Sequence, residues 1–182
     1  SASTQGTGAT AGDVTLDGAA RVSSDTFGAG AGGRVALSGG AIVIQGGATV
    51  TSVADAGTGA AGSVTVTSGS LSLSDASIAS DTSSSGAAGS VAIVTGDLTL
   101  QGQNLGNTFI SSDSLGAGDA GAVSVQARNL SADGGAVISS SSLPGASGRS
   151  GVLTLNTDSV TLRSGALIAT ATFVSNRAFA FT

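Results

Sequence analysis

The chain has 182 residues, of which 30 are Gly, one is Pro and none is Cys, Met, Trp, Tyr or His, so neither aromatic packing nor disulfide stapling can supply its core. All six basic residues are Arg and all eleven acidic ones are Asp, for a net charge of −5. That balance disfavours nucleic acid or an anionic membrane as partner, and no apolar run approaches the ~20 residues of a membrane-inserted span.

In chain order, short runs with apolar residues at alternate positions recur. Alternation of period two predicts strands with one face in and one face out. The run Val14/Leu16 is followed by Ala20/Val22, and then three-run units begin: Val35/Leu37, Ile42/Ile44 and Ala48/Val50, then Val64/Val66, Leu71/Leu73 and Ala76/Ile78. The pattern continues with Val91/Ile93, Leu98/Leu100 and Thr108/Ile110, then Val123/Val125, Leu130/Ala132 and Ala136/Ile138, and ends with Leu153/Leu155, Val160/Leu162 and Ala166/Ile168. In each complete unit the second run starts seven residues after the first, as a fixed corner requires. Variation falls in the segment Gln101 to Asn107 and in the Gly/Ser/Asp connections after the third run. Those connections are corners where Gly permits positive φ, because no strand-to-helix context makes their Gly-x-Gly patterns phosphate-binding.

A repeat of this length cannot bury its inner face alone, so copies must stack. The predicted fold is all-β, a right-handed parallel β-helix of about six three-strand coils. It forms a single solenoid domain over 1–182, with repeats near 11–33, 34–62, 63–89, 90–121, 122–151 and 152–176, and 177–182 as a terminal strand or cap. A β-sandwich also suits short alternating strands but gives no reason for a three-column register.

The phrases Ala61-Gly62-Ser63-Val64-Thr65-Val66, Ser70-Leu71-Ser72-Leu73 and Ala76-Ser77-Ile78-Ala79-Ser80, leading to Ala88-Gly89-Ser90-Val91, resemble the repeats of filamentous-haemagglutinin-type exoproteins over residues 11 to 170. These are bacterial surface proteins secreted by the two-partner route that fold as right-handed β-helices. The resemblance implies secretion, an extracellular or cell-surface location and an adhesive or structural role. It rests on core and corner positions, and the family's amino-terminal secretion domain is not recognisable. The chain reads as a piece of a larger product.

Candidate chemistry is sparse. General acid–base work would fall on Asp alone, so the expectation is a protein that is not an enzyme, with a polysaccharide-degrading β-helix as the alternative. Asp25, Asp81 and Asp113 each follow their column residue by three positions. Asp81 and Asp113 would stand ~5 Å apart on neighbouring coils, where Ca²⁺ is the candidate ligand; the competing reading is turns capped by Asp. No other cofactor is expected.

The outward residues Thr15, Ser72, Thr99, Ser131 and Thr161 form a hydroxyl rank, interrupted by Val43, that suits surface glycans. It also resembles ice-binding solenoids, which carry a second rank of Thr that is missing here. On the third face Phe109, Val137 and Leu167 form an apolar stripe that calls for an intramolecular lid or a lateral protein contact. Finally, Arg177-Ala178-Phe179-Ala180-Phe181 alternates in phase with the next first strand, so Phe179 and Phe181 are expected to join copies of the chain head-to-tail or to cap the last coil.

Overall fold

The computed structural model describes residues 12–103 and 107–172. Among these the fold is all-β and without helix: parallel strands stack as a β-solenoid of about five turns. The strands are β1 Val14–Leu16, β2 Arg21–Ser23, β3 Arg34–Gln45, β4 Thr49–Thr51, β5 Ser63–Ser74 and β6 Ser77–Ala79, then β7 Ser90–Gln101, β8 Phe109–Ser111, β9 Ala122–Asp133, β10 Val137–Ser139, β11 Val152–Leu162 and β12 Leu167–Ala169. Odd-numbered strands form one six-stranded parallel sheet in the order β1-β3-β5-β7-β9-β11. Even-numbered strands form the second, from β2 through β4, β6, β8 and β10 to β12. A rank of single bridges, Thr26–Ala54–Thr82–Ser114–Ser142–Thr172, runs beside the second sheet.

The first and second apolar runs of each unit lie on one long strand. In β5 the inward residues are Val64 and Val66 before the corner and Leu71 and Leu73 after it, so the inward parity slips by one at Gly69-Ser70. Two successive residues then face outward, and both halves bury their aliphatic side chains in the same interior. Pairing is continuous across β5 and β7 except at Gly69 opposite Gly96. Ser68 and Thr95, just before the slip, join through their hydroxyls at 2.9 Å.

The core is a set of vertical stacks. Ile42, Leu71, Leu98 and Leu130 are successive partners in register, and each is 1% exposed. Val50, Ile78, Ile110 and Ile138 form a second stack with no exposure at all. Burying such a side chain contributes about 1.5–3 kcal/mol, which identifies these stacks as the main source of stability.

A polar seam closes each turn. Ser24, Ser52, Ser80, Ser112 and Ser140 follow the column residue by two positions and therefore point inward with it. The Ser80 hydroxyl donates to the Gly62 carbonyl at 2.7 Å, that of Ser112 to Gly89 at 2.7 Å, and that of Ser140 to Gly121 at 2.6 Å. In return the Gly89 amide donates to the Ser80 carbonyl at 3.1 Å and the Gly121 amide to that of Ser112 at 3.1 Å. The glycines here pack against one another between turns: a Cβ on Gly89 would overlap the Gly62 carbonyl oxygen, and one on Gly121 would overlap that of Gly89. This is why each long strand from β3 onward is entered through a glycine, at Gly33, Gly62, Gly89, Gly121 and Gly151.

Candidate functional site

The second sheet is three residues wide, and the chain then runs on in extended form to the bridge rank. Successive outward residues on this stretch, at −1, +1, +3 and +5 from the buried column residue, line a trough that crosses the turns. At the fourth column residue, Ile110, these are Phe109, Ser111, Asp113 and Leu115; at the fifth, Ile138, they include Val137, Ser139 and Leu143. Together with Asp81 from the preceding turn, these seven residues line a shallow cavity of about 280 Å³. Its walls are Phe109 and Val137 on one side and Leu115 and Leu143 on the other. Its floor is Ser111 and Ser139 with the two carboxylates.

The carboxylates are held by the turn that follows them. Asp81 Oδ1 accepts the Asp113 amide at 2.7 Å and the Ser111 hydroxyl at 2.8 Å. Asp113 Oδ1 accepts the Ser141 amide at 2.7 Å, and its Oδ2 accepts the Ser139 hydroxyl at 2.7 Å. Asp25 repeats this one end earlier, taking the Val53 amide at 2.8 Å and the Thr51 hydroxyl at 3.1 Å. These aspartates therefore cap the next turn's backbone across the ladder. The turn-capping expected from sequence is present in function, but its partner lies 28 to 32 residues away.

Electrostatics separates the three. Burial opposes ionisation of Asp25, but the Val53 amide and the hydrogen bond and charge of Arg21 outweigh it and leave its pKa below the usual carboxylate value. Burial pushes Asp81 up to about 6; the Asp113 amide and Ser111 hydroxyl pull down, while the Asp113 charge adds to the rise. Burial likewise raises Asp113 against the bonds from Ser139 and Ser141. Arg21 bridges Asp25 from four residues upstream. The corresponding positions before Asp81 and Asp113 are Ser77 and Phe109.

The structure thus brings Asp81 and Asp113 together with Phe109 and Val137, a metal candidate and an apolar stripe that the sequence had kept apart. Leu167 continues the stripe as the partner of Val137 in the second sheet and is 52% exposed. Asp55 falls outside the carboxylate column, whose place in that turn is held by Val53; its Oδ1 instead accepts the Ser83 hydroxyl at 2.9 Å. Phe179 and Phe181 lie outside the described residues, as does part of the segment Gln101 to Asn107. Among the described residues no group of three or more His, Cys, Asp or Glu is placed to hold a metal ion. The hydroxyl rank Thr15, Val43, Ser72, Thr99, Ser131 and Thr161 is in register along the first sheet.

Sequence reading missed Leu115 and Leu143, the second wall. Their signal was an apolar residue at outward parity five positions after the column residue, a position that is also apolar in the first unit, Phe27, and polar in the second and third, Asp55 and Ser83. Comparison with protein-family models, with curated proteins and with solved structures gives no match.

Proposed function

We propose that the chain is a segment of a secreted structural or adhesive solenoid at a bacterial surface, built as a right-handed β-helix of six three-strand coils whose copies stack head-to-tail. The carrying observation is that the ladder is open at both ends of the described residues. β1 and β2 at one end, and β11 and β12 at the other, each pair on one side only. Val14, Leu16, Ala20 and Val22 cover the core at the first end and Leu153, Leu155, Ala166 and Ile168 at the second, all only partly buried. Within the described residues both ends thus present strands paired on one side only and partly exposed aliphatic side chains in the same column pattern, and such edges template further pairing. A contact between unlike ends does not close on itself and builds a filament.

Phe179 and Phe181 are the side chains this reading places at the joint, with the segment 177–182 pairing with the opening turn of the next copy. Light scattering across a concentration series and electron microscopy test it. Wild-type protein is expected to give rods that lengthen with concentration, and the double substitution Phe179→Asp with Phe181→Asp is expected to leave single solenoids. Wild-type material that stays monomeric at the highest concentration, or rods that persist in the double variant, would overturn stacking through this segment.

A further inference from the structure

The first turn contains a filled version of the trough, and it shows what the later turns leave open. Asp25 accepts three kinds of donor: a backbone amide from the next turn, a hydroxyl from the next turn, and the guanidinium of Arg21 on its Oδ2. Asp113 has the same first two, from Ser141 and Ser139, and Asp81 has them from Asp113 and Ser111. A carboxylate offers about four lone-pair sites, so each of these groups retains acceptor capacity. For Asp113, Phe109 stands where Arg21 stands for Asp25. The cavity opens at this place and is lined by both carboxylates and by apolar walls.

We propose that this trough is a docking site for a protein segment that presents an arginine flanked by apolar side chains. The guanidinium enters between the walls and bonds Asp81 and Asp113 as Arg21 bonds Asp25. Two carboxylates on adjacent turns, at the ~5 Å strand spacing, suit a planar fork better than a point charge. Phe109 offers the guanidinium a ring face or edge at the site entrance. Leu115, 53% exposed, together with Val137 and Leu143, receives the neighbouring apolar side chains. That requirement favours a peptide over a free amine, which would satisfy the carboxylates and leave the walls in water. Charge runs the same way, since the chain carries a net −5. The site is on a lateral face and does not depend on end-to-end stacking.

Fluorescence anisotropy with a labelled pentapeptide carrying a central arginine between two leucines tests the assignment, with the central citrulline peptide as its neutral isostere. Saturable binding of the arginine probe is expected, at least tenfold weaker for citrulline and at least tenfold weaker in Asp113→Asn. Phe109→Arg is expected to recreate the arrangement of the first turn, raise the melting temperature and abolish probe binding. Ser131→Ala, on the other sheet, serves as control and should leave binding unchanged. Absence of saturable binding, equal affinity for citrulline, or full binding by Phe109→Arg or Asp113→Asn would overturn the proposal. Arg177 of the chain itself is followed by Ala178 and Phe179, though Asn176 precedes it. If Arg177→Ala in the full chain raises probe affinity tenfold, the occupant is the chain's own segment and the external partner is ruled out.

Discussion

The polar seam inside the solenoid and the trough outside it lie only a few residues apart on the same stretch of chain, yet they vary in opposite ways. Along the seam the same bond recurs turn after turn: Ser80 on Gly62, Ser112 on Gly89, Ser140 on Gly121. Along the trough the +3 position is Asp25, Val53, Asp81, Asp113 and Ser141, and the −1 position runs from Arg21 through Thr49 and Ser77 to Phe109 and Val137. Seam atoms face the neighbouring turn's backbone, where a partner missing on one turn orphans a buried group on the next. The trough's floor, with Ser111 and Ser139 buried, is tied between turns by hydrogen bonds, but wall side chains such as Leu115 face water and bond no neighbouring turn. Stacking therefore fixes the seam and leaves the trough free to differ from turn to turn.

The most severe way to break that contrast is to put a side chain into the seam. Gly89→Val introduces a Cβ that must displace the Gly62 carbonyl oxygen and the Ser80 hydroxyl, both already committed to bonds. Two turns would have to separate locally, and the buried carbonyl would lose its donor. The expected loss is several kcal/mol, on the order of the largest single-site effects, with a fall in melting temperature of about 10 °C or more. Leu115→Ala, on the trough wall, is expected to stay within about 0.5 kcal/mol by the same melt. Equal losses for the two would erase the distinction between seam and trough.

A smaller effect tests the trough's own asymmetry through pH. The folded-state pKa of Asp81 is raised from 3.8 to about 6, and that of Asp113 is raised in the same sense. A carboxyl whose pKa is raised on folding binds its proton more readily in the native state. Its stabilising contribution is therefore fully present below pH ~4 and is lost as pH rises through about 6. The protein is expected to be more stable at pH 5 than at pH 7.5, with about 1.4 kcal/mol of the difference coming from Asp81. Asp81→Asn should remove most of that gain while retaining an acceptor for the Asp113 amide. A denaturant midpoint that does not shift between these pH values in the wild type would show that the carboxylate is better compensated than its surroundings indicate.

Much of this architecture was legible in the sequence, and what escaped did so for physical reasons. Val50, Ile78, Ile110 and Ile138 were placed in one column by spacing alone and are stacked in register. Alternation reports side-chain direction, and in a solenoid direction is enough to assign the interior. The fusion of two runs into strands such as β5 was not legible, because a parity slip at Gly69-Ser70 looks the same in sequence as a break between strands. The seam was written at inward parity by Ser52, Ser80 and Ser112, but a small polar residue is ordinarily assigned to solvent. The partners of Asp81 and Asp113 were hidden for another reason: turn chemistry is read locally, and these carboxylates bond a turn away.

The mildest perturbation removes the cation from the first turn of the trough, where Arg21 pairs with Asp25. Arg21 is 56% exposed along its side chain while the Asp25 side chain is 7% exposed, so solvent screens much of the attraction. Arg21→Gln is accordingly expected to cost less than about 1 kcal/mol at neutral pH. The titration of Asp25 carries the information. In the wild type its folded-state pKa lies below the unfolded value, so its contribution is present above pH ~4 and disappears as pH falls through the lowered pKa. Without the guanidinium, burial is opposed only by the Val53 amide and the Thr51 hydroxyl, the same kinds of donor that leave Asp113 raised. The Asp25 carboxyl resonance, followed by NMR, should move its midpoint upward in Arg21→Gln, and the loss of stability between pH 7 and pH 3 should shrink with it. An Asp25 midpoint that stays where it was would mean that the amide and hydroxyl suffice to hold the charge. The raised values of Asp81 and Asp113 would then come from depth in the fold, and Ser77 and Phe109 in place of Arg21 would not distinguish the later turns from the first.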